Sequence, residues 1–96
     1  MSIAGELLGE VVSIVTVSGE YIGILDTESL SGGEVIIENP RMLIATDEGV
    51  GFAKGVCMTG MADVKMVRFK DYVFLTRTNA EFAKAYKEAT TLIQLV

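Results

Sequence analysis

The stretch Val11 to Leu25, VVSIVTVSGEYIGIL, admits few architectures. Val11 to Val17 is β-branched almost throughout, which suits the pleated backbone of a strand better than a helix. Ser18-Gly19 is a turn signal and Tyr21 to Leu25 resumes the apolar pattern, so the segment predicts a β-hairpin. Gly23 falls inside the second strand, where a glycine marks a sharp bend or a close approach of another backbone. An isolated hairpin is barely stable in water, so the rest of the chain must extend the sheet or cover it.

The remaining segments fit that demand. DTESLSGGE reads as a loop. Val35 to Ile37 is strand-like, and Pro40 makes its segment an edge strand, a bulged strand or two short pieces. TDEGVG reads as a turn. FAKGVCMTGMADVKMVRF reads as one long bent strand, or as two strands broken near Gly60 to Asp63. Lys70-Asp71 interrupts the pattern, and YVFLTR forms a short final strand. The end of the chain changes character. Phe82, Tyr86, Ala89 and Ile93 recur at helical spacing and predict a helix over about 79–92, with Thr78 and Glu81 as a capping box. Lys84 and Glu88 lie one turn apart on another face. Leu7 and Leu8 either end a short helix or begin the first strand.

Composition narrows the chemistry. The 96 residues make one domain, 1–96, with the strands in about 10–77. A chain this short buries only about 60–65% of its unfolded surface, so self-association would stabilise it. Half of the residues are hydrophobic, more apolar material than so small an interior holds, and this points to a partner surface. Thirteen acids against eight bases give a net charge of −5, which argues against strong non-specific binding of nucleic acid while leaving room for a local basic face.

With no histidine and one cysteine, Cys57, there is no disulfide framework, no Cys-His pair and no base for a serine triad. Cys57 reads as a small buried apolar residue. DTESLSGGE lacks the ligand order of a calcium loop. GVGFAKG has the wrong spacing for a phosphate loop, with no helix following it, and reads as a hairpin turn. Glu20, Asp26, Glu28 and Glu34 fall near turns, with no sign of the burial that would tune them for acid–base work. The expectation is a non-enzyme without cofactor or metal. The beginning, MSIAGELLGE, lacks a positive n-region, and no apolar run reaches the length of a membrane span, so a cytoplasmic location and no membrane partner are expected.

About five short, strongly bent strands, many glycines and one terminal helix suggest a mainly β fold, a small barrel with a C-terminal α-helix. Within it, VVSIVTVSGEYIGIL resembles the first signature of the Sm-like (LSm) proteins, in which an apolar strand leads through a Gly turn to a strand carrying Gly-x-Leu. Gly19, Gly23 and Leu25 take the matching places. VRFKDYVFL resembles the second signature, Ile-Arg-Gly-Asp-Asn followed by a short apolar strand. Val67 stands for the Ile, Arg68 for the Arg, Lys70 for the Asp and Asp71 for the Asn. The resemblance covers roughly residues 10 to 77.

That resemblance implies a strongly bent five-stranded barrel whose copies close into a homo-oligomeric ring, here through Tyr72, Val73, Phe74 and Leu75, and which binds single-stranded, uridine-rich RNA. The pocket residues carry over poorly. At the ungapped register Ser29, Gly32 and Gly33 replace the family's Asp, Met and Asn. A shifted register puts Asp26 in the Asp place, Leu30 near the Met place and Ser31 at the amide. Phe69 replaces the family's glycine. Two readings of Arg68 to Asp71 therefore compete. In one, they are a connector in which Phe69 plugs the barrel and Arg68 pairs with an acid. In the other, Arg68, Phe69 and Lys70, with Asp26, line a ring's inner rim and meet RNA through charge and stacking. A ring that has lost nucleic-acid binding and serves as a structural or protein-interaction module is the competing function.

Overall fold

A computed structural model describes residues 7–28, 34–53, 56, 59–60 and 64–94. The expectations for Cys57 and for residues 29–33 lie outside these, as does the side chain of Ile93. Six strands and one helix follow in order: β1 (Val11–Thr16), β2 (Gly19–Glu28), β3 (Glu34–Thr46), β4 (Gly49–Ala53), β5 (Met66–Lys70), β6 (Phe74–Arg77) and α1 (Ala80–Gln94). All pairings are antiparallel, in the order β4-β3-β2-β1-β6, with β5 also on β3.

The hairpin forms as the β-branched run demands, with Val11 opposite Ile24 and Thr16 opposite Gly19. Its turn is Val17-Ser18, one residue earlier than Ser18-Gly19, and leaves Val17 94% exposed. Thr16 decides this. Its hydroxyl accepts from the amides of Ser18 and Gly19 and lies 2.9 Å from the Gly19 carbonyl, closing the loop one position sooner.

Pro40 neither ends nor splits its strand. β3 runs through it as a bulged strand: Ile22 opposes Arg41 and Ile24 opposes Glu38, so Asn39 and Pro40 together face Gly23. Asn39 takes a left-handed φ of 50° there, and its amide donates to the Lys65 carbonyl at 2.7 Å. Gly23 is the close approach that its position in the strand suggested. A Cβ there would overlap the Ile37 Cγ2 methyl and lie 3.1 Å from the Glu38 carbonyl oxygen.

The segment expected as one long strand or two is two, β4 and β5, both on the outer edge of β3. β5 lies along Glu34 to Glu38 and β4 along Met42 to Thr46. Gly49 to Gly51 belongs to β4, so the turn before it shrinks to Asp47-Glu48. This makes six strands among the described residues where about five were expected.

The connection between β5 and β6 forces curvature. In the sequence β5-β3-β2-β1-β6 a flat sheet would set β5 and β6 about 19 Å apart. The four steps from Lys70 to Phe74 reach at most about 14 Å. The sheet must therefore curl. Among the described residues no pairing joins β5 to β6, and the curl stops short of a hydrogen-bonded, closed barrel.

Alternation along the curled strands gives two apolar faces. Inside sit Leu7, Val12, Ile14, Leu25, Val35 and Ile37, with Phe69, Tyr72 and Leu75 packed against them. Outside, Val11 and Ile22 pack with Tyr86 of α1 and with Ile24, Leu43, Phe52 and Ala83. Each fully buried Ile, Leu or Val is worth about 1.5–3 kcal/mol relative to exposure. Helix α1 thus covers the outer face. Its N-cap is Asn79, whose side-chain oxygen accepts from the Phe82 amide at 2.9 Å, and not the expected Thr78. Thr78 is buried and its hydroxyl is spent on Ser13, 2.8 Å away. Lys84 and Glu88 are both exposed and make no ion pair among the described residues. Leu7 closes a helical turn, with the Glu10 amide on its carbonyl at 2.9 Å. Among the described residues no helix is long and apolar enough to cross a membrane.

Candidate functional site

The residues singled out around Arg68 fall on two faces of β5. Val67 and Phe69 point into the curl and are half-buried; Met66, Arg68 and Lys70 point out and are exposed. Phe69 packs on the inner core, its ring 5.0 Å from that of Tyr21 and tilted by 57°. Its π-face is therefore committed within the chain. Arg68 lies mid-strand, opposite Ile36, with its Nε 3.7 Å from an oxygen of Glu34. The Arg68 side chain is 69% exposed, and an ion pair of that kind contributes about 0–1 kcal/mol, so its guanidinium can exchange partners at little cost. Lys70 stands opposite Glu34 at the end of β5.

Asp26 is exposed on β2, with β3 between it and β5. Its neighbour Thr27 opposes Ile36, which opposes Arg68, so Asp26 and Arg68 stand at similar heights about 10 Å apart. The sheet therefore sets Arg68, Lys70 and Asp26 in one neighbourhood and turns Phe69 away from them.

Asp71 begins the connector to β6 with a left-handed φ of 58°, which reverses the chain in three residues. Tyr72 and Leu75 turn inward and serve the core. Val73 and Phe74 turn outward, 58% and 50% exposed. The Val73 amide donates to the Val15 carbonyl at 2.7 Å, and Phe74 pairs with Val15, which holds the strand rigidly against β1. Of the four residues expected at a subunit contact, two are thus internal and two present an apolar edge. The far edges of β5 and β6 carry no partner strand among the described residues.

A second feature has no motif of its own in the sequence. Ser13, Glu20, Ile22, Leu43, Val50 and Phe82 are among the residues lining a groove of about 330 Å³ between the outer sheet face and the first turn of α1. The alternation of Ser13, Glu20 and Ile22 in the hairpin was a usable signal. Their convergence with Phe82 depends on where the helix docks, and no local pattern announces that.

Among the described residues no cluster of acids or Cys could hold a metal ion. No protein-family model matches the chain, and no curated protein matches it.

Proposed function

We propose that this chain is a divergent Sm-like subunit that assembles edge to edge into a homo-oligomeric ring. The observation that carries the reading is that β5 and β6, on either side of a three-residue connector, each keep an edge without a partner strand among the described residues, as β4 does at the other end of the sheet. Exposed edges of this kind invite pairing with another chain. Because the two edges differ, joining β5 of one copy to β6 of the next is a head-to-tail contact, which generates a ring when the rotation closes. The curl of the sheet supports a barrel-like subunit, and intermolecular pairing would supply the hydrogen bonds that the curl leaves unmade. Val73 and Phe74 add apolar area beside the seam. Replacing Phe74 by Lys puts a charge there, and light scattering after gel filtration should show smaller species. An unchanged mass would remove Phe74 from the contact.

The ligand we assign to such a ring is single-stranded RNA, held by Arg68 and Lys70. Their exposure on one face of β5 favours it, and ring symmetry would repeat that charge in every copy. The inward-facing Phe69 and the net charge of −5 favour instead a ring that serves as a protein scaffold. Arg68→Ala decides between them. Under the RNA reading it weakens binding of labelled oligouridine and lowers its salt dependence. Equal affinity in wild type and variant would leave the scaffold.

A further inference from the structure

No described residue that lines the groove between α1 and the outer sheet face is on β5 or β6. Its floor is apolar, made by Ile22, Leu43 and Phe82, and it extends onto Ile44 and Val50 of the β3–β4 hairpin, which are 42% and 50% exposed. Glu20 is its sole charged lining residue among the described residues, Asp47 and Glu48 form the hairpin tip between the lining residues Ala45 and Val50, and Glu81 precedes Phe82 on the helix. None of these four carboxylates has a hydrogen-bonding or ion-pair partner among the described residues, and all four are exposed. Among the described residues no Lys or Arg lines the groove.

An acidic rim repels phosphate and attracts cations. A single small cation would satisfy one carboxylate. Acids spread over β2, a hairpin tip and a helix start suit a ligand with several basic groups along its length. Apolar surface reaching out of the cavity onto Ile44 and Val50 suits a segment that alternates basic with apolar side chains. The hydroxyls of Ser13 and Thr78 bond to each other at 2.8 Å. We infer that this groove is a docking site for a short peptide segment of a partner protein, with apolar side chains against Ile22, Leu43 and Phe82 and Lys or Arg side chains on Glu20 and the Asp47-Glu48 tip. The groove adjoins β6, since Ser13 pairs with Thr76, but it needs no second copy and holds whether or not the chain forms a ring.

The test is fluorescence anisotropy of the full-length protein with a labelled peptide alternating lysine and leucine, and with its counterpart carrying glutamate for lysine. The lysine peptide should bind, more weakly at higher salt, and the glutamate peptide should not. Glu20→Lys, at an exposed position, should weaken binding about tenfold, and Val50→Arg should do likewise. Native mass spectrometry of both variants should return the wild-type subunit count, which separates this site from the assembly edges. Equal binding of the two peptides, no binding of the lysine peptide, or unaltered binding by Glu20→Lys would overturn the inference. So would displacement of the peptide by oligouridine, which would make the groove a nucleic-acid surface.

Discussion

The phenol of Tyr86 donates a 2.7 Å hydrogen bond to the backbone carbonyl of Asn39, tying helix α1 to the bulge of β3. Tyr86 is fully buried, its ring 6.4 Å from that of Phe52 in an edge-on contact. Tyr86→Phe keeps the ring and strands the carbonyl. It should cost about 1–2 kcal/mol in urea unfolding, whereas Tyr86→Ala should cost about 3–5 kcal/mol by leaving a cavity. Equal costs would mean that the hydroxyl contributes little.

The same phenol sets an alkaline limit. Burial pushes it up to about 12 from 10.0, with Arg41 opposing the rise and Glu38 adding to it. The unfolded chain loses this proton near its ordinary value while the folded chain keeps it. Its contribution is therefore complete below about pH 10 and is lost as pH climbs towards about 12. Stability measured across that window should fall more steeply in wild type than in Tyr86→Phe. Parallel curves would assign the fall to other groups.

Gly23 and Ile37 test the bulge. Gly23→Ala drives a methyl against the Ile37 side chain and towards the Glu38 carbonyl, and the Pro40 Cα lies 3.4 Å away. The expected loss is about 1–3 kcal/mol, seen as a lower urea midpoint. A neutral result would mean that the bulge relaxes freely.

Asp71 tests the connector. Its left-handed backbone tolerates Gly and resists a β-branched side chain. Asp71→Val should cost about 1–2 kcal/mol and Asp71→Gly should stay within about 0.5 kcal/mol.

Local chemistry made part of this architecture legible. The β-branched run of β1, the glycine at position 23 and the stripe of Phe82, Tyr86 and Ala89 each encode their own element, and helix α1 begins and ends within two residues of its expected span. Pro40 left three outcomes open because what selects among them, the missing Cβ of Gly23 opposite it, lies on another strand. The helix cap lies one residue beyond Thr78 because the Thr78 hydroxyl bonds to Ser13, 65 positions away. For the candidate site, the exposure of Arg68 and Lys70 follows from strand alternation. The inward turn of Phe69 follows from the same alternation, once the strand is known to begin at Met66 and to run through Lys70. The groove depends on helix docking and has no local signature.

The central claim is that the edges of β5 and β6, which have no partner strand among the described residues, are completed by other copies of this chain. Native mass spectrometry of the wild-type protein, alone and with oligouridine or oligoadenosine, tests it most directly. The account predicts one discrete oligomer whose subunit count is unchanged by either oligonucleotide, with oligouridine adding its own mass. A monomer at micromolar concentration under all three conditions would contradict it.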